Sequence, residues 1–130
     1  MIIYVESSAA AKLILDEPES EAMAEFLDGF ALEGHAVVTS TLVDTELRRA
    51  ASRGGAPQSA ATEVLSRMNI VEIERSTFTA AGLLPGSTLR SLDALHVSAA
   101  LAVSTDLFVT YDERQTAAAV AAGLRVVSPA

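Results

Sequence analysis

The sequence predicts an α/β fold: one domain spanning residues 1–130, with about five mostly parallel strands and helices on both faces of the sheet. Three features predict it. Short β-prone apolar runs alternate with longer stretches of helical character along the whole chain. The strand runs are continuously apolar, as expected of strands covered on both faces. No internal repeat, low-complexity tract or linker divides the chain, and 130 residues suffice for one domain but not two.

Each element has a local reason. Ile2 to Val5 is a β-prone run and reads as a buried first strand. Ser7 or Ser8 is placed to cap a helix running to about Leu15. Pro18 opens a second helix, Glu19 to about Leu32, which Gly34 ends. Ala36 to Thr39 is the second strand. Ser40 or Thr41 caps a third helix to about Arg53, stopped by Gly54 and Gly55, and Pro57 starts a fourth, to about Met68. Ile70 to Glu74 is the third strand, and Ser76 to Leu84 a short helix closed by Pro85 and Gly86. Ser91 caps a helix from Leu92 to about Val103, and Leu107 to Thr110 is the fourth strand. Glu113 to Ala122 is the last helix, stopped by Gly123 before a fifth strand, Arg125 to Val127.

Composition narrows the function. Half the chain is apolar, enough for a substantial core, but it has no Trp and few aromatics, so Ala, Leu and Val must fill that core. The absence of cysteine excludes disulfides and thiolate metal sites. With two histidines, His35 and His96, a zinc site would need mostly carboxylate ligands, which zinc uses less often. No stretch approaches the length of a spanning helix, and Met1 to Val5 lacks a basic signal-peptide start, so a cytoplasmic protein without membrane contact is expected. The net charge of −8 gives no long-range steering towards nucleic acid. It is compatible with a nuclease, because a bound divalent ion inverts the charge of an acidic site.

In an open α/β sheet, sites form at the carboxyl ends of the strands. Four acids fall there: Glu6 straight after strand one, Asp112 after strand four, and Glu46 and Asp93 early in helices. Each has a plainer explanation. Asp93 complements a helix dipole in the first turn after Ser91. Glu46 can pair with Arg49 on a solvated face. Asp112 to Gln115 fits a capping box, with Gln115 reaching back. Glu6 has the weakest packing rationale of the four. Together, carboxylates converging on one rim repel and require a cation, and an oxygen-only donor set points to Mg²⁺, with Mn²⁺ as substitute. Such a cluster can bind a phosphodiester and orient a water for in-line attack.

Four blocks carry a resemblance. Ile3-Tyr4-Val5-Glu6-Ser7-Ser8-Ala9 with Lys12-Leu13, then Thr45-Glu46-Leu47-Arg48-Arg49-Ala50, then Asp93-Ala94-Leu95-His96-Val97-Ser98-Ala99-Ala100, then Leu107 to Gln115 followed by Ala121-Ala122-Gly123-Leu124, occur in this order over nearly the whole chain. This pattern resembles PIN-domain proteins, specifically the VapC-type toxins of toxin–antitoxin pairs. The resemblance implies an Mg²⁺-dependent endoribonuclease acting on a structured RNA such as tRNA or rRNA. It also implies a homodimer, neutralised by a small VapB-type antitoxin in a larger complex. It assigns Glu6, Glu46, Asp93 and Asp112 as catalytic metal ligands, Ser7, Ser8 and Thr110 as their polar neighbours, and Arg114 as a residue beside the site, read either as a phosphate contact or as an exposed arginine of the last helix. One position departs from the pattern. The family's first acid is usually Asp, and Glu6 displaces that carboxylate by about one C–C bond, roughly 1.5 Å. Since Mg²⁺ is strict about geometry, either the site adapts and activity is retained, or the fold survives as a catalytically weakened binding module. Retained activity is the expectation.

His96, one turn beyond Asp93, reads as a partly buried helix residue with a satisfied hydrogen bond or as a metal ligand or base; His35 reads as a loop residue. Arg48, Arg49, Arg53 and Arg90 are candidates for RNA or antitoxin contact. A phosphoacceptor signalling domain would be expected to carry a lysine near its last strand, and the only lysine is Lys12. Neither a P-loop nor a G-x-S-x-G elbow occurs.

Overall fold

A computed structural model describes all 130 residues. The elements are β1 (Ile2–Val5), α1 (Ser7–Ala11), α2 (Ser20–Leu32), β2 (Ala36–Ser40), α3 (Thr41–Gly54) and α4 (Gln58–Ser66), then β3 (Asn69–Val71), α5 (Arg75–Gly82), α6 (Ser91–Ala102), β4 (Leu107–Val109), α7 (Glu113–Ala121) and β5 (Val126–Val127). The five strands form one sheet in the order β3-β2-β1-β4-β5. Every neighbouring pair is parallel.

The apolar strands are divided between two faces by the period of two. Ile3 and Val5 of β1, with Leu107 and Val109 of β4, enter a core shared with Ala9, Met23, Val43, Leu47, Val64 and Leu65. Tyr4 and Phe108 point the other way, into a core with Val97, Ala99, Ala100 and Ala119. Their rings stack at 5.3 Å between centroids and 8° between planes. The many alanines at these contacts bring α1, α6 and α7 close to the sheet, as a core poor in aromatics requires.

The chain leaves β1 towards β2 and β3, then crosses to β4 and β5 on the other side. The switch point therefore lies between β1 and β4, where a crevice opens at the carboxyl ends of the strands. β1 and β4 stay joined to that edge, since the Glu6 amide donates to Val109 O at 3.0 Å.

Several element ends differ from the sequence expectation. The first helix stops at Ala11 rather than Leu15. Lys12, Leu13 and Ile14 instead make tight turns, their amides donating to carbonyls three residues back, and the Ser20 hydroxyl closes the segment by donating to Leu15 O at 2.6 Å. β3 ends at Val71, not Glu74. Its last paired residue faces Ser40, where β2 itself ends, so no ladder partner remains. α3 terminates as expected at the glycine pair, with Gly55 in the left-handed region at φ 74°.

Candidate active site

Glu6 leaves β1 and immediately caps α1. Its Oε2 accepts from the Ser8 amide at 3.0 Å, the Ser8 hydroxyl at 2.5 Å and the Thr110 hydroxyl at 2.7 Å. This corrects the expectation that Ser7 or Ser8 caps the helix: a carboxylate on extended backbone reaches the free amide of Ser8, and the serine hydroxyl then serves the carboxylate. It also supplies the packing role that Glu6 appeared to lack. Ser8 Oγ further accepts from the Tyr111 amide at 2.8 Å, tying the end of β4 to the start of α1.

Thr110 follows β4 and is fully buried. Its hydroxyl accepts from the Asp112 amide at 3.1 Å. Asp112 caps α7, its Oδ1 accepting from the Gln115 amide at 3.0 Å. The reciprocal half of the expected capping box is not made. Gln115 is buried and its Nε2 donates to Asp93 O at 3.1 Å, pinning α7 to the first turn of α6.

Asp93 is buried at that first turn. Its Oδ2 accepts from Arg114 Nε at 3.1 Å, and the same guanidinium lies 3.9 Å from Asp112 Oδ2. Arg114 is half exposed, so one face of it meets the acids and another meets solvent.

Glu46 stands on α3, across the crevice. It does not pair with Arg49; the exposed ion pair on this helix joins Arg48 to Asp44 at 2.8 Å. Glu46 Oε1 instead accepts from Ser7 Oγ at 2.7 Å and meets His96 Nε2 at 2.6 Å. Burial opposes ionisation of Glu46, but the hydrogen bond and charge of His96 and the bond from Ser7 outweigh it, and the carboxyl is held below its usual range. His96 is 1% exposed, and its Nδ1 lies 2.9 Å from the Tyr4 hydroxyl. The Tyr4 hydroxyl in turn donates to Ser40 Oγ at 2.9 Å. Burial pushes the Tyr4 phenol well above its usual range. Sequence reasoning left the role of His96 open and missed Tyr4. The available signal was spacing, because His96 lies three residues after Asp93 and so on the same face of α6.

All four acids therefore lie along one rim, linked by hydrogen bonds, a longer ion pair and chain adjacency. Glu6 and Asp112 are joined through Thr110, Asp93 and Asp112 through Arg114, and Glu46 is held by Ser7, the residue next to Glu6. Glu6, Glu46 and Asp93 each have one oxygen engaged by the protein, while Glu6 Oε1, Glu46 Oε2 and Asp93 Oδ1 accept no hydrogen bond from it; Asp112 has Oδ1 bonded to the Gln115 amide and Oδ2 in the ion pair with Arg114. These are hard oxygen donors of the kind Mg²⁺ and Mn²⁺ take. Their positions are looser than such an ion requires: no group of three Asp, Glu or His side chains is gathered closely enough to hold a metal. Glu46 and Asp93 are each held by a resident nitrogen donor, His96 and Arg114. The donor chemistry fits a divalent ion, and an ion would have to draw the free oxygens together.

Comparison with known proteins covers nearly the whole chain. A family model described as "PIN domain" matches residues 3–121. Ribonuclease VapC47 of Mycobacterium tuberculosis is 34% identical over 132 residues, covering 98% of this chain and 97% of the relative. Ribonuclease VapC35 of the same organism is 39% identical over 135 residues, with the same coverage. Among solved structures, VapBC2 from Rickettsia felis bound to a promoter DNA fragment superposes with TM-score 0.74 at 20% identity, over 100% of both chains. VapC20 of M. tuberculosis, described as a Sarcin-Ricin loop cleaving toxin, superposes with TM-score 0.73 at 15% identity, over 89% of this chain and 94% of that one.

Proposed function

Because this chain belongs to the PIN-domain family, as a relative of the VapC ribonucleases of toxin–antitoxin pairs, we propose that it is an endoribonuclease toxin that hydrolyses RNA phosphodiesters with a divalent cation. Mg²⁺ is the expected ion and Mn²⁺ its substitute. The proposed ligands are Glu6, Glu46, Asp93 and Asp112. The observation that supports this reading is that these four acids, from four separate elements, lie along one rim at the switch point of a parallel sheet, linked through Thr110, Arg114 and Ser7.

The chain's own groups divide the work. Ser8 and Thr110 hold Glu6, and Ser7 with His96 holds Glu46, so that each carboxylate keeps one oxygen for a ligand. Arg114 neutralises Asp93 and Asp112 while the rim is without an ion, and its exposed face can take a phosphate oxygen. The ion, when bound, supplies charge stabilisation to the phosphodiester and lowers the pKa of the attacking water. A VapB-type antitoxin is the expected partner, supported by likeness to VapBC2 of R. felis and VapBC-1 of Haemophilus influenzae. An acidic rim on a chain of net charge −8 suits a basic antitoxin segment.

The test is purified protein incubated with structured RNA, tRNA or rRNA, in Mg²⁺ or Mn²⁺. Cleavage that EDTA stops and Asp93→Asn removes supports the proposal; cleavage indifferent to both would refute it. A second reading, a binding module that has lost activity, is favoured by the saturation of Glu6 Oε2 and by the looseness of the acid cluster. Antitoxin binding without metal-dependent cleavage would establish it instead.

A further inference from the structure

Three polar side chains are sealed between α6 and the sheet, and they have one outlet. Ser40 and Tyr4 are 0% and 1% exposed and His96 is 1% exposed. Their hydrogen bonds run Ser40–Tyr4 at 2.9 Å, Tyr4–His96 at 2.9 Å and His96–Glu46 at 2.6 Å. Solvent access is reached only at the His96 Nε2 end, where the series meets Glu46, about 29% exposed, and the partly buried Ser7, whose hydroxyl lies 3.4 Å from Nε2 and donates to the same Glu46 oxygen. An apolar residue at 96 would fill the same space without needing partners, and buried polar groups stabilise a core little once desolvation is counted. The series is therefore poorly explained as packing and well explained as support for the group at its end.

We infer that His96, held by Tyr4, is a positioning residue that fixes the Glu46 carboxylate across the crevice. The inference rests on Glu46 belonging to the proposed metal-dependent site. Glu46 sits on a long side chain in the second turn of α3, with several rotatable bonds between backbone and carboxylate. His96 Nε2 and Ser7 Oγ both engage Oε1 and leave Oε2 without a protein donor. The imidazole cannot turn in response, because Nδ1 is bonded to a phenol on the central strand. That phenol's ring is stacked on Phe108 and meets the imidazole edge-on at 6.0 Å and 75°. Glu46 is thereby referred to the sheet that also carries Glu6, and the two sides of the crevice keep a fixed relation.

Mn²⁺ binding is measured by calorimetry on metal-free wild type, His96→Leu, His96→Gln, Tyr4→Phe, Glu46→Gln and the His96→Leu/Glu46→Gln double variant, each checked for native circular dichroism. His96→Leu is expected to weaken Mn²⁺ binding about 10- to 100-fold. His96→Gln, which keeps an N–H donor, should recover much of the loss, and Tyr4→Phe, which keeps the stack on Phe108, should fall between. In the Glu46→Gln background His96→Leu should have no further effect. RNA cleavage should lose kcat with little change in KM. Wild-type Mn²⁺ affinity in folded His96→Leu would overturn the inference, as would a loss that persists undiminished in the Glu46→Gln background. Should His96→Leu fail to fold, His96→Gln and Tyr4→Phe carry the same comparison. Crystals of metal-free His96→Gln and Tyr4→Phe separate this inference from the nuclease reading: Glu46 displaced from its wild-type place in Tyr4→Phe but not in His96→Gln supports positioning even if wild type binds no Mn²⁺, and Glu46 unmoved in Tyr4→Phe overturns it even if wild type does.

Discussion

At Glu6 a single oxygen collects the Ser8 amide, the Ser8 hydroxyl and the Thr110 hydroxyl, so the residue ends one strand, starts one helix and joins both to β4. Two substitutions pull these duties apart. Glu6→Ala removes the helix cap and is expected to cost about 0.5–2 kcal/mol in urea denaturation. Glu6→Asp keeps a good capping residue, since Asp reaches the same amide, but its shorter side chain gives up part of the link to Thr110. It should melt close to wild type and keep or raise metal affinity and RNA cleavage. Complete loss of cleavage in Glu6→Asp would show a rim rebuilt around the longer side chain. The importance of the acid at position 6 was legible in the sequence, because an acid after a buried strand is conspicuous. Its capping of the Ser8 amide, two residues on, was hidden behind the serines that are the commoner caps, and its bond from the Thr110 hydroxyl, 104 residues away, forms only when β1 and β4 pair.

Helix α7 shows how one element can hold both a cap and a proposed ligand. Asp112 caps it through Gln115 N, and Asn caps helices about as well as Asp. Asp112→Asn should therefore leave thermal stability nearly unchanged while RNA cleavage falls steeply; equal loss of both would mean that the carboxylate serves the helix alone. As a contrast, Leu47 is fully buried in the core under α3. Leu47→Ala is expected to cost about 2–5 kcal/mol, read as a lower denaturation midpoint, with the site chemistry affected only through loss of folded protein. Element ends were the least legible part of the sequence. The early end of α1 follows from the Ser20 hydroxyl closing on Leu15 O, and the short β3 follows from β2 running out. The first is a local closure by a side chain five residues on, the second depends on a strand about thirty residues back in the chain.

Across the whole molecule, the proposed site asks several carboxylates to share one rim in a chain that already carries a net charge of −8. An ion that binds only the folded rim must stabilise the fold, by about 2.7 kcal/mol when its concentration is a hundred times its Kd. Mn²⁺ or Mg²⁺ should thus raise Tm, EDTA should reverse the rise, and Asp93→Asn should abolish it. A Tm indifferent to the ion in wild type would count against the ligand set, and with cleavage absent as well would favour the binding module.

The amino-acid order alone determined the layered α/β architecture, the parallel sheet and the residue types at its carboxyl edge, because apolar periodicity and chain punctuation are local properties. The order of the blocks was likewise enough to indicate the family. Tertiary structure alone decided who holds whom: Thr110 on Glu6, Arg114 across Asp93 and Asp112, Gln115 on the backbone of α6, and the sealed line from Ser40 through Tyr4 and His96 to Glu46. The physical reason is that a hydrogen bond depends on distances of a few tenths of an ångström between groups far apart in the chain, and no local pattern of residues encodes those distances.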